Sequence, residues 1–283
     1  MKIIDTDIAI VGGGASGLVA GIAAARYGWN NITILEKLPR VGKKILSTGN
    51  GRCNLTNSFI SADDYDGDTE LLSYISGDIE NSEEFFSSLG LLCRADDTGR
   101  VYPFSNTAAS VLDTLRFAAD FAGINTICEY YVTDIKKAKN RFIITNGETE
   151  VRTRRVIIAT GGKAAPSLGT TGEGYALCKK LGHSSTKLYP ALAPIRTDVG
   201  LVKAVKGLRI AADVSLLAGG KIIDRQSGEV QFADGALSGI CIFNLSATAA
   251  KYVDKGEISL DTAPTLGKEE LYNIIKSSAE IRA

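Results

Sequence analysis

The sequence predicts an α/β fold: a three-layer domain with a central parallel sheet and a β-meander, followed by a smaller β-rich domain. Three observations carry that reading. Residues 3–11 form a β-branched run that leads into Gly12-x-Gly14-x-x-Gly17, an Ala-rich stretch with helical spacing, and a second β-branched run closing on Glu36. Short strands broken by turns such as Asn146-Gly147 follow, up to a last buried run at residues 155–159. After Pro190 the texture changes to brief β-rich runs between Gly and Asp turns. Domains at 1–190 and 191–283 are therefore expected, and 45 % hydrophobic against 23 % charged residues is enough for a sizeable core.

The first element is the most informative. Ile8, Ile10 and Val11 suit a strand buried on both faces. Gly12, Gly13, Gly14, Ala15, Ser16 and Gly17 then form the turn of a Rossmann-type unit: the first glycine of the pattern allows a tight turn, the second lets backbone approach a pyrophosphate, the third lets the helix pack on the strand. Residues 15–27 place Leu18, Ile22 and Ala25 at helical spacing, and Gly28 ends the helix. Residues 31–35 are the second strand. Glu36 lies about twenty residues beyond Gly17, where a carboxylate accepts hydrogen bonds from both hydroxyls of an adenosine ribose and disfavours a 2′-phosphate. This much defines an adenine-dinucleotide site and leaves flavin and nicotinamide both open.

The next segment separates them. Lys37-Leu38-Pro39-Arg40-Val41-Gly42-Lys43-Lys44 and the run to Asn57 make a long basic, glycine-rich loop that an ordinary nicotinamide domain does not need. Backbone at Gly49 and Gly51 can approach a phosphate or a flavin ring, and Lys44 or Arg52 can neutralise a diphosphate. Lys37, Lys44, Gly51, Arg52, Cys53 and Asn54 are the cofactor-binding candidates here. Further on, Thr160 and Gly161 follow a buried strand at the sheet edge where such ligands bind. Residues 81–91 and 107–122 read as helices, 101–105 as a turn carrying two aromatics, and 124–132 as a strand.

Composition excludes several classes. Lys plus Arg (32) balances Asp plus Glu (32), so no overall drive toward nucleic acid is expected. The acid-rich stretch 63–84 and the base-rich stretch 136–155 read as solvated faces. Five scattered cysteines without C-x-x-C spacing, and one histidine (His183), exclude a zinc site and fit a reduced, cytoplasmic protein. His183 follows Gly182 and reads as part of a helix end. Residues 8–25 carry no charge, but Asp5 and Asp7 stand where a basic leader belongs and the run is mostly small residues, so neither signal peptide nor membrane span is expected. The sequence does not fix an oligomeric state.

Gly51-Arg52-Cys53-Asn54-Leu55-Thr56-Asn57 closely resembles the signature of the HI0933-like flavoproteins, also labelled BaiN-like or aminoacetone-oxidase-like. The resemblance continues through Gly99-Arg100-Val101-Tyr102-Pro103-Phe104-Ser105, Ala159-Thr160-Gly161-Gly162, Gly172-Glu173-Gly174-Tyr175 and residues 232–239. It implies FAD as cofactor, reduced nicotinamide, NAD(P)H, as a transient donor, a small-molecule substrate, and backbone at Val132 against the adenine. It also implies that 191–283 is a β-barrel-like insert interrupting the FAD domain. The expected function is an FAD-dependent oxidoreductase passing hydride between nicotinamide, flavin and a small organic substrate, by conjugated C=C reduction or amine oxidation. Family members return from the insert with another glycine-rich strand end, which these residues do not include, so an N-terminal piece is expected. The alternative is a non-catalytic FAD-binding or flavin-less fragment. Cys53 has no second thiol nearby for a dithiol mechanism, and no residue stands in a spacing that marks it as catalytic.

Overall fold

The computed structural model describes residues 1–61, 64–65 and 81–282; most of the acid-rich stretch lies outside the described residues. Two units, Met1–Ser185 and Thr186–Ala283, each have their own core.

In the first unit β1 (Lys2–Val11) is exposed at its start and fully buried from Ile8 to Val11, because strands and helix cover that half on both sides. It enters α1 (Ala15–Arg26), whose Leu18 and Ile22 face the core; burying each contributes about 1.5–3 kcal/mol. β2 (Ile32–Leu35) is buried throughout. A small antiparallel sheet follows, ordered β3-β5-β4, from β3 (Thr56–Asn57), β4 (Cys93–Ala95) and β5 (Arg100–Pro103), with α2 (Ser82–Ser88) capped by the Asn81 side chain. Residues 101–105 are thus largely strand rather than a turn: Val101 and Tyr102 pair with β4 and are buried.

α3 (Ala108–Phe121), capped by Thr107, buries Val111, Leu112, Leu115 and Ala119, one face at helical period. β6 (Asn125–Ile127) is shorter than the expected 124–132 strand. The chain leaves the sheet at Glu129, which takes a left-handed conformation, and Tyr130 N–H then bonds the Glu36 carbonyl. β7 (Asp134–Ala138), β8 (Arg141–Thr145) and β9 (Thr149–Ile158) form the meander, and α4 (Glu173–Lys180) closes the unit. One ten-residue strand replaces the separate runs expected around Val151 and 155–159. Its first part pairs with β8 and its whole length with β1, giving a six-stranded sheet in the order β6-β2-β1-β9-β8-β7. β8 follows β9 only to Thr153, so residues 155–158 have β1 as their only strand partner among the described residues.

The second unit is an antiparallel, curled half-barrel. Its strands are β10 (Ile195–Arg196), β11 (Arg209–Ala218), β12 (Lys221–Ala233), β13 (Ala236–Ser238) and β14 (Gly256–Asp261), in the order β10-β13-β12-β11-β14. β12 is one long strand where the sequence suggests brief runs between turns. α5 (Val199–Lys203) and α6 (Ile240–Ala249) accompany the sheet, and α6 buries Ile242 and Leu245 against Val214, Leu216 and Val230. α7 (Lys268–Arg282) ends the described chain.

Candidate functional site

A cavity of about 550 Å³ lies in the first unit where β1 and β2 end. Its wall brings together twelve of the residues singled out from sequence: Gly12, Gly14, Ala15, Ser16, Glu36, Lys37, Lys44, Cys53, Asn54, Val132, Thr160 and Gly161. The other four, Gly13, Gly17, Gly51 and Arg52, are outside the wall. Two of them act behind it. Gly13 N–H donates to Glu36 Oε2 at 2.7 Å. A Cβ on Gly17 would meet the Gly12 carbonyl oxygen at 1.9 Å, so helix and turn touch there and no side chain fits.

The turn is built to receive something. Gly14 caps α1 without any side-chain hydrogen bond, leaving the first-turn N–H groups uncapped where Gly14, Ala15 and Ser16 line the cavity. A Cβ on Gly14 would meet nothing within 4 Å. Uncapped N–H groups at the positive end of a twelve-residue helix suit an anion, phosphate above all.

Glu36 is buried, and each of its carboxylate oxygens is anchored: Oε2 by Gly13 N–H and Oε1 by Leu38 N–H at 2.8 Å. A carboxylate has about four lone-pair sites, so acceptor capacity for a pair of hydroxyls remains. Next to it Lys37 turns away to pair with Glu173, at the start of α4. Burial raises the Glu173 carboxyl, but hydrogen bonds from Lys37 and Thr171 outweigh it and hold the group at about 2. Thr171 N–H also donates to Glu173 Oε2, at 3.4 Å, so the same acid ties down the turn before α4.

The middle of the cavity is cationic. Arg40, Lys43 and Lys44 line it, and none has a carboxylate partner among the described residues. Lys44 Nζ donates to Thr170 Oγ1 at 2.7 Å and to the Ala164 carbonyl at 3.1 Å; Lys43 Nζ donates to the Ser167 carbonyl at 2.9 Å. Both lysines therefore hold neutral partners and keep their charge for a ligand. An adenine dinucleotide fits this donor set: an acid for the ribose, helix N–H groups and cations for a diphosphate, and apolar side chains such as Val19, Val111 and Leu115 for flat rings. Val132 is held in the wall by Tyr130, whose hydroxyl donates to the Thr149 carbonyl at 2.7 Å and is pushed up to about 12 by burial.

A family model, the HI0933-like protein Rossmann domain, matches residues 6–274. The chain belongs to the HI0933-like family. Among relatives of this HI0933-like chain, a 3-dehydro-bile acid delta(4,6)-reductase of Clostridium scindens is 39 % identical over 254 residues, covering 88 % of the chain and 62 % of the relative. A ribosomal RNA dihydrouridine synthase of Haemophilus influenzae is 23 % identical, over 95 % of the chain and 67 % of the relative. The chain thus spans about two thirds of the length of these proteins. In fold it is similar to a flavocytochrome c3 fumarate reductase in the open conformation, with TM-score 0.52 and 18 % identity over 73 % of the chain and 47 % of that structure.

Sequence reasoning did not single out Arg40, Lys43, Thr48, Tyr131, Thr170 and Glu173 as wall residues of the HI0933-like cavity. Arg40 and Lys43 stood in the basic loop, but nothing in the order of a loop says which cations turn inward. Thr170 is brought in by Lys44, a contact across 126 residues. Cys53 lies in the wall with its thiol raised by burial, opposed by a hydrogen bond with Thr48, which keeps it protonated at neutral pH. All five cysteines are free thiols. His183 donates its backbone N–H to the Cys178 carbonyl at the end of α4. Among the described residues no cluster could hold a metal ion and no helix is long and apolar enough to cross a membrane.

Proposed function

We propose that this chain binds FAD and belongs to a reductase that saturates a carbon–carbon double bond conjugated to a carbonyl in a small organic molecule, with reduced nicotinamide as the electron donor. The observation that carries the reading is the single cavity wall that combines an uncapped helix start, an anchored ribose-type acid and three cations without acidic partners among the described residues. Glu36 would hold the adenosine ribose, Val132 the adenine, Gly14 to Ser16 with Lys44 the diphosphate, and Cys53 with Asn54 would stand beside the flavin. When bound, FAD supplies the two-electron chemistry, and the protein binds, orients and excludes water. Burial raises the Cys53 thiol, which suits packing beside the cofactor.

C=C reduction is favoured over amine oxidation because the 39 % identical relative is named a delta(4,6)-reductase. A uridine in RNA is a second substrate of the same chemical type, favoured by the relative named a ribosomal RNA dihydrouridine synthase; balanced net charge alone does not exclude it. The test is to purify the chain, incubate it with FAD, remove free cofactor and record the visible spectrum. A retained flavin spectrum, bleached by NADH or NADPH and restored by a conjugated enone, is expected. A colourless protein overturns FAD binding; bleaching restored only by a uridine-containing RNA moves the substrate to nucleic acid. A coloured chain that none of these reduces or reoxidises is a binding module without catalysis.

A further inference from the structure

Arg52 is left unexplained by the cofactor site. It is exposed and outside the cavity wall, while its neighbours Cys53 and Asn54 are in that wall. Its guanidinium lies over the Tyr102 ring, 4.4 Å from the centroid, and Tyr102 is buried and fixed in β5. The remaining contacts are long: Nη2 to Tyr102 Oη at 3.4 Å and Nε to the Gly49 carbonyl at 3.4 Å. Among the described residues no acidic side chain pairs with it. A guanidinium stacked on an aromatic face directs its donors in its own plane, and among the described residues Nη1 has no hydrogen-bond partner.

The backbone around it is strained. Asn50 and Cys53 both take φ of 58°, flanked by Gly49 and Gly51, also left-handed. Non-glycine residues in this region cost roughly 1–3 kcal/mol each and persist where surrounding structure imposes them, commonly at ligand sites. The strained segment sets Arg52 outside the wall and Cys53 and Asn54 inside it.

We propose that Arg52 binds an oxygen anion or carbonyl oxygen of the substrate at the lip of the cavity, which makes a planar conjugated carboxylate or enone the preferred ligand class. A planar oxyanion matches the guanidinium fork, taking up Nη1 and replacing a long contact of Nη2, and a rigid ring behind the cation limits its loss of freedom on binding. This rests on the flavin reading only for the word substrate; the anion site stands on Arg52 itself.

The test uses the ¹⁵N-labelled full chain and benzoate as the probe. The Nε–Hε resonance of Arg52, assigned by its loss in Arg52→Lys, is followed during titration with benzoate and, at equal ionic strength, chloride. The titration is run without FAD and after loading FAD, where the flavin absorbance gives a second readout. Benzoate is expected to shift the resonance saturably and to perturb the flavin spectrum. Arg52→Met is expected to weaken the perturbation at least tenfold, and Arg52→Lys less. A benzoate response no larger than that of chloride, or an Arg52→Met affinity within twofold of the parent, overturns the proposal. If FAD does not load, the flavin reading fails, and the titration without FAD still decides the arginine.

Discussion

Replacing Glu36 with Gln separates a scaffold role from a ligand role in one side chain. In the ligand-free protein both carboxylate oxygens accept backbone N–H groups, a buried one from Gly13 at 2.7 Å and a half-buried one from Leu38 at 2.8 Å. Glutamine keeps one acceptor oxygen and turns an amide NH₂ toward the other N–H, so one buried donor loses its partner. That costs about 1–3 kcal/mol, and for a unit of this size about 2–4 °C of melting temperature per kcal/mol, hence a fall of roughly 2–12 °C. Binding should suffer separately, since hydrogen bonds to a charged acceptor contribute about 1.5–3 kcal/mol, or about ten- to a hundredfold in affinity for FAD. Thermal melts without ligand and FAD titrations by flavin fluorescence give the two quantities. If ligand-free E36Q melts within about 1 °C of the parent, Glu36 is not the anchor of the phosphate turn and the argument for a preassembled site fails.

Two glycine variants make a contrast. Gly17→Ala would force its Cβ onto the Gly12 carbonyl and is expected to destabilise by about 1–3 kcal/mol or more in urea melts; Gly14→Ala meets no protein atom and should melt within about 0.5 kcal/mol of the parent while losing FAD affinity at least tenfold. The Glu173 carboxyl is depressed from 4.5 to about 2, so its stabilisation is present above 4.5 and is lost as pH falls toward about 2. In urea midpoints between pH 5 and pH 2, Glu173→Gln should flatten this loss by roughly 1–3 kcal/mol. Lys44→Met removes a cation that has no carboxylate partner among the described residues, so FAD affinity should fall and its salt dependence weaken, as fluorescence titrations at low and high salt would read. Ellman's reagent in denaturant should count five thiols with no prior reduction.

Much of the nucleotide-binding half was legible because its chemistry is local. Gly12 to Gly17 and Glu36 follow from strand, turn and helix in one βαβ unit, and the structure joins them through the Gly13–Glu36 hydrogen bond. The base-rich loop announced charge but not direction. Lys44 faces the cavity because Thr170 and Ala164 hold it there, whereas Arg52, eight positions on, is drawn to Tyr102 across the small sheet. Glu173 was out of reach for the same reason: its partner Lys37 is 136 residues away. The strand errors are also tertiary. Residues 128–132 have strand-like composition, but the bond from Tyr130 N–H to the Glu36 carbonyl bends the chain away from the sheet. Residues 149–158 read as two runs because Arg154 and Arg155 interrupt the apolar pattern, yet β1 pairs with the whole length.

That long strand has a practical consequence. Where β8 peels away after Thr153, Val156 and Ile158 border a second hollow, of about 500 Å³, with Phe142 and Leu181 and with Lys136, Lys137 and Lys180. Main-chain donors and acceptors on one side of an apolar strand are a template for further pairing. The three lysines set like charges against a second copy at that edge, so self-association should depend on salt as well as on concentration. Light scattering of serial dilutions at low and high salt would register it, with association expected only where salt screens the lysines.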